Sequence, residues 1–168
     1  MEEPPDETRL DLSYLLNQAA YAFQAQLGGA LAESGLSVRE YCVLWKAYEG
    51  ERTQQEIAEL AGLDKSTLVL TLDRLEKAGL AERRISDVDR RARVVAVTPK
   101  GAGAYLEAQE VVDKVTVETL RHLGARGMKG FVDALQALVE GDGPLATPSH
   151  VTPLRRKQPR PHAASQHA

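Results

Sequence analysis

The sequence is short of the residues that announce several kinds of chemistry. It has one cysteine, Cys42, so no intramolecular disulfide framework and no cysteine-rich zinc site can form. Of four histidines only His122 precedes residue 141, and His150, His162 and His167 near the C-terminus lack metal-ligand spacing. No glycine-rich phosphate loop is present, and no nucleophile sits beside a base in a known pattern. Enzyme activity, a metal and a cofactor are therefore not expected. No apolar run approaches the ~20 residues that cross a bilayer, so no membrane partner is expected. The start, MEEPPDETR, is acidic and lacks the apolar stretch of a secretory signal. The expected location is the cytoplasm.

What is present fits one soluble domain. There are 168 residues, 43% hydrophobic and 27% charged, enough for a sizeable core. The net charge of -3 argues at first against a nucleic-acid partner. The distribution argues otherwise. Residues 64–100 hold nine bases and six acids, and residues 141–168 hold four bases and one acid. Residues 1–63 and 101–140 are acidic. Five arginines (Arg83, Arg84, Arg90, Arg91, Arg93) fall within 83–93 against Asp87 and Asp89. Such a run is either a solvated hairpin or a phosphate contact; arginine without lysine favours phosphate.

Residues 1–9 and 141–168 read as disordered, an acidic arm and a basic tail with five of the eight prolines. Between them, Leu12, Leu15, Leu16, Ala19, Phe23, Leu27 and Leu31 recur at helical spacing, predicting a helix over 10–34. Ser37-Val38-Arg39-Glu40 is a capping box opening a helix over 38–49, stopped by Gly50. Thr53-Gln54-Gln55-Glu56 is another, opening a short helix with Ile57, Leu60 and Ala61 inward. Asp64 caps a third short helix, with Leu68, Leu72 and Leu75 inward. Two strand-like runs follow, Ala81–Ile85 and Arg93–Val97, joined by SDVDRRA. Thr98-Pro99 opens a helix over about 99–123. The last helix, about 126–140, carries a stripe of Met128, Phe131, Val132, Leu135, Leu138 and Val139.

Two short helices and a tight turn followed by a hairpin make a winged helix-turn-helix. The fold class expected is mainly α with a small β-hairpin: a lobe over 36–100 flanked by helices over 10–34 and 99–140. A helix fits a major groove, and an arginine-tipped hairpin can reach a minor groove. Lys65, Ser66, Thr67, Val69, Leu70, Asp73 and Arg74 would face outward. Helix capping is the alternative role for Ser66 and Thr67, and solvation that for Arg74.

Residues 53–101, with Asp87-x-Asp89-Arg90-Arg91 followed by Val97-Thr98-Pro99-Lys100-Gly101, resemble the MarR family of transcriptional regulators. The resemblance spans roughly 10–140. It implies a homodimer built by the terminal helices, binding palindromic sites on double-stranded DNA, usually as a repressor released by a small ligand or by oxidation. It makes the helix after Asp64 the recognition helix. It makes Arg90 or Arg91 the minor-groove arginine, Asp89 the acid orienting one of them, and Arg83 and Arg84 backbone-phosphate contacts. Val69 and Leu70 depart from the polar residues usual there. Branched aliphatics can touch thymine methyls but cannot read hydrogen-bond patterns; the alternative is a rotated helix with Leu70 packed inside.

Tyr41, Trp45 and Tyr48 lie at i, i+4 and i+7, and Tyr14 and Tyr21 at i and i+7. These five aromatics are either core and dimer packing or the lining of a pocket for a small aromatic effector. Cys42 reads as a buried inert thiol, with redox sensing the alternative. A winged-helix protein-interaction module without DNA binding is the other function class left open.

Overall fold

Local signals in the chain set most of the element boundaries. The computed structural model describes residues 11–87 and 89–139 and the backbone of 155–156. Asp11 accepts from the Tyr14 amide and opens α1 (Leu12–Ala32). α2 (Val38–Tyr48) starts on its capping box, Ser37 Oγ accepting from the Glu40 amide and the Glu40 carboxylate from the Ser37 amide. Thr53 and Glu56 repeat that exchange at the start of α3 (Gln54–Ala61), which ends at Gly62 in the left-handed region, φ +62°. Asp64 caps α4 (Lys65–Lys77).

Gly50, expected only to stop a helix, begins a strand, β1 (Gly50–Thr53). β1 pairs antiparallel with β3 (Arg93–Val97) at Arg52↔Val95 and Thr53↔Val94. β2 (Ala81–Ile85) pairs with β3 along its whole length, from Ala81↔Val97 to Ile85↔Arg93. The C-terminal stretch expected to lack structure contributes β4 (Arg155–Arg156) at the outer edge of β1, giving the order β2-β3-β1-β4. The rest of that stretch, and the acidic arm, lie outside the described residues.

Thr98 caps α5 (Pro99–Leu120) by accepting from the Gly101 amide, with Pro99 in the first turn. A 3₁₀ turn, Arg121–Leu123, leads into α6 (Gly124–Val139). The core gathers Leu31, Val43, Leu44, Ile57, Leu68, Leu72, Leu75, Val95, Tyr105 and Ala108. Leu60, expected inward, is exposed: α3 is eight residues long and buries Ile57 alone.

The join between α4 and α5 fixes how the lobe hangs from the long helix. Thr98 Oγ1 donates to Gly79 O at 2.7 Å, the Thr98 amide to Leu80 O at 3.1 Å, and Lys100 Nζ to Ala78 O at 2.8 Å. A Cβ on Gly101 would stand 1.8 Å from Leu80 O, so only glycine lets the two backbones approach this closely. The terminal helices are different. Residues 11–22 of α1 are exposed, and no residue of α6 is buried. Leu12, Leu15 and Leu16 on α1, and Phe131 and Val139 on α6, therefore face outward within a single chain.

Candidate nucleic-acid interface

α4 presents its face by burying the opposite one. Leu68, Thr71, Leu72 and Leu75 are buried, which turns Lys65, Ser66, Val69, Leu70, Asp73 and Arg74 to solvent. Leu70 is 63% exposed, so the helix is not rotated to pack it inside. Asp64 accepts from the Thr67 amide at 2.9 Å and from Thr67 Oγ1 at 2.6 Å. Hydrogen bonds from Thr67, then from Ser66, hold the Asp64 carboxyl down to about 2. Both hydroxyls placed at the DNA by sequence therefore serve the cap in this state, with Thr67 half-buried.

The wing tip is shaped by its own backbone. The Ser86 amide donates to Ala92 O at 2.9 Å, and the Ala92 amide to Asp89 O at 2.9 Å. The Asp89 amide donates to Ser86 Oγ at 3.2 Å. Asp89 Oδ1 accepts from the Arg91 amide at 2.9 Å. Asp89, expected to orient one of the wing arginines, engages Arg91 through its backbone amide. Arg90, Arg91 and Arg93 are exposed, and among the described residues their guanidinium groups have no hydrogen-bond or ion-pair partner.

Arg83 and Arg84, expected on phosphate, are engaged within the chain. Arg83 Nη2 pairs with Asp73 at 2.8 Å and donates to Val69 O at 3.3 Å, and Nη1 pairs with Glu76. The Arg83 amide donates to Glu76 Oε1 at 2.8 Å. This arginine clamps β2 to α4. Arg84 pairs with Glu51 at 2.7 Å and Asp87 at 2.8 Å, and Asp87 is the main cause of its raised pKa. Both guanidiniums are satisfied within the chain, where sequence alone placed them on phosphate. The acids that hold them are spread over α4, β1 and the wing loop. Only Asp87, three residues after Arg84, is a local partner; Glu76 and Asp73 lie seven and ten residues before Arg83.

The five aromatics do not gather into one site. Tyr41 stacks on Tyr105 with centroids 5.8 Å apart, Tyr48 lies 4.8 Å from Tyr105, and Trp45 lies 6.4 Å from Tyr41. Tyr105, absent from the expected set, is the centre of this cluster. Burial pushes the Tyr41 phenol up to about 12, with Cys42 and Asp113 adding to it; burial also raises Tyr105. Lys46 Nζ sits 3.4 Å over the Trp45 ring. Tyr14 and Tyr21 stand on the outer face of α1, 59% and 78% exposed, without a ring contact among the described residues. A cleft of about 600 Å³ runs between α1 and the start of α2, lined by residues including Gln24, Gly28, Leu36, Ser37 and Arg39 and by none of the five aromatics. Cys42 packs against the core, and burial raises its thiol pKa against a lowering by Lys46. Among the described residues no three His, Cys, Asp or Glu side chains group to hold a metal. No helix among them is long and apolar enough to cross a membrane.

Comparison with known proteins agrees with this geometry. Residues 34–92 match a family model described as MarR family. Over these residues the chain resembles the MarR family. CouR from Rhodococcus jostii RHA1, solved with p-coumaroyl-CoA, is 29% identical over 79% of this chain and 94% of its own, with a TM-score of 0.68. A MarR-family transcriptional regulator from Rhodococcus sp. RHA1 is 27% identical over 79% of this chain and 95% of its own, with a TM-score of 0.70. The transcriptional repressor CouR bound to a 23-mer DNA duplex is 26% identical over 80% of this chain and 96% of its own, with a TM-score of 0.68. The winged helix-turn-helix thus has the fold of these MarR-family transcriptional regulators.

Proposed function

We propose that this protein is a MarR-family homodimeric repressor that binds a palindromic site on double-stranded DNA and is released by a small aromatic ligand. The observation that carries the DNA reading is the wing tip, where Arg90 and Arg91 are exposed and unpaired among the described residues, beside a recognition helix with an exposed outer face. Lys65, Ser66, Thr67, Val69, Leu70 and Arg74 form that outer face or its N-terminal end. Exposed Leu70 supports contact with thymine methyls, with shape and the wing supplying the rest. The clamped Arg83 and Arg84 act on DNA only through the wing and helix they hold.

The dimer reading is supported by the uncovered apolar residues of α1 and α6, a face that a second copy would bury. In that assembly residues 10–34 and 99–140 are the dimerisation helices and 36–100 the DNA-binding lobe. Two recognition helices then sit roughly 10 bp apart, one helical turn of DNA. The ligand reading draws on CouR and its p-coumaroyl-CoA, and on the α1–α2 cleft. Tyr14 and Tyr21 contribute to a ligand site only if a partner chain completes it; Tyr41 and Tyr48 serve packing against Tyr105, and Trp45 keeps a partly exposed edge. The raised thiol pKa and packing of Cys42 disfavour a redox switch.

The test is a duplex selected from a random library by the full-length protein, then bound by the Arg90→Ala/Arg91→Ala double variant. Affinity should fall about tenfold or more, in line with loss of two charge-assisted phosphate or groove contacts per lobe. Unchanged affinity at near-physiological salt would remove the wing from the interface.

A further inference from the structure

Glu51 lies outside the wing, on β1, yet its carboxylate is bonded to the wing twice. Oε1 accepts from Arg84 Nη2 at 2.7 Å, and Oε2 accepts from Ser86 Oγ at 2.8 Å. The side chain is only 11% exposed, and Ser86 is 2% exposed. Ser86 in turn organises the tip. Its amide closes the hairpin on Ala92 O, and its hydroxyl accepts from the Asp89 amide, whose carboxylate accepts from the Arg91 amide. A continuous run of hydrogen bonds therefore joins β1 to the backbone that carries Arg90 and Arg91.

We propose that Glu51 is a positioning residue for DNA binding, fixing through Arg84 and Ser86 the direction in which the wing presents Arg90 and Arg91. This rests on the DNA-binding reading above. The chemistry gives the proposal an unusual sign. An acid near a DNA-binding surface opposes binding through its charge, and here it also neutralises Arg84, a cation that could otherwise reach phosphate. By charge alone, removing Glu51 strengthens DNA binding. By positioning, removing it weakens binding, because a hairpin tip free to turn loses ordering entropy when its arginines dock. Buried carboxylate hydrogen bonds are directional enough to hold such a tip.

The experiment uses a duplex enriched from a random library by the full-length wild-type protein, and anisotropy titrations of four proteins: wild type, Glu51→Ala, Arg90→Ala/Arg91→Ala, and the triple variant. Glu51→Gln, which keeps the volume and one acceptor oxygen, serves as the conservative variant and as the substitute if Glu51→Ala does not fold. The expected result is a loss of about tenfold for Glu51→Ala, a smaller loss for Glu51→Gln, and no further loss when Glu51→Ala is added to the double arginine variant. A purely structural role would weaken binding equally in both backgrounds, and that result overturns the proposal. So does unchanged or tighter binding by either Glu51 variant. If no duplex is enriched, the DNA-binding reading fails and this inference falls with it. If a duplex is enriched and the cycle shows no coupling, only the positioning role fails.

Discussion

Replacing Arg83 by alanine separates two roles that predict different measurements. As a phosphate contact, Arg83 contributes to DNA affinity and little to folding. As the clamp seen here, it joins β2 to α4 through Asp73, Glu76 and the Val69 carbonyl. The Arg83 side chain is 25% exposed, Asp73 56% and Glu76 32%. The pair with exposed Asp73 is worth about 0.2–1 kcal/mol. The pair with Glu76 is better covered, but a fully buried charged hydrogen bond would contribute only ~1.5–3 kcal/mol, and partial exposure cuts that to about 1. The backbone bond from the residue 83 amide to Glu76 survives the substitution. The total is a loss of about 1–2 kcal/mol, or roughly 4–8 °C in Tm for a folded region of this size. Differential scanning fluorimetry reads that loss. The second readout is the salt dependence of binding to a selected duplex. Affinity at one salt concentration is a poor discriminator, because Asp73 and Glu76, left without their cation, would repel DNA in either case. The slope is better: a lost phosphate contact flattens log K against log salt by about 0.9 per lobe. We expect a lower Tm and an unchanged slope. An unchanged Tm with a flattened slope would refute the clamp.

Three further outcomes follow from the packing and the titrating groups. Gly101→Ala forces a methyl against Leu80 O, so α5 must shift from the turn after α4, and chemical denaturation should show a loss of about 2–3 kcal/mol or more; a neutral substitution would mean that the join yields easily. Burial raises the pKa of Tyr41 to about 12 and raises Tyr105 above its ordinary 10, so the neutral phenols are favoured in the folded state. The stability they hold is whole below pH 10 and is lost as pH rises toward 12, so Tyr41→Phe should blunt alkaline unfolding followed by circular dichroism, and an identical profile would argue against the burial. Burial keeps Cys42 protonated at neutral pH, so alkylation should be slow in the native protein and complete in denaturant; peroxide that reversibly abolished DNA binding in wild type but not in Cys42→Ser would overturn this.

Elements with a strong local cause were legible in the chain, and those made by long-range pairing were not. Ser37-Glu40, Thr53-Glu56 and Thr98-Pro99 satisfy backbone donors within a few residues, so their helices start where the sequence reads. The strands Ala81–Ile85 and Arg93–Val97 follow from valine content and the polar loop between them. β1 has four mostly polar residues and exists because β3 offers it a partner, a fact no local window contains. The same limit governs the site. Periodicity told which side of α4 faces out, because Leu68, Leu72 and Leu75 share one face. It could not tell which arginines face DNA, because the acid that holds Arg84 from β1 lies 33 residues away in sequence. It likewise joined five aromatics by spacing along two helices, where packing against Tyr105 on a third sets Tyr41 and Tyr48 apart from Tyr14 and Tyr21.

Pairing also changes what the charge of the lobe means. Residues 64–100 hold nine bases, but Arg83 and Arg84 are neutralised within the chain, and Lys100 donates to the Ala78 carbonyl. Among the described residues, Lys65, Arg74, Lys77, Arg90, Arg91 and Arg93 are the cations of this segment whose side chains have no such partner. These six, with exposed Arg39 near the start of the lobe, set a ceiling on phosphate neutralisation by the lobe. At a slope of about −0.9 per contact, one lobe can contribute at most roughly −6 to log K against log salt, and a two-lobed complex roughly −13. The acidic residues outside the lobe add no contacts, so binding away from a matched site should be weak, and affinity should depend on docking both lobes together. Equilibrium titrations across salt concentrations measure the slope directly. Protein trimmed of residues 142–168 separates the contribution of the basic tail. A trimmed protein with a slope well beyond the ceiling would need Arg83, Arg84 or Lys100 on the phosphates, and the division into clamped and free cations would be wrong.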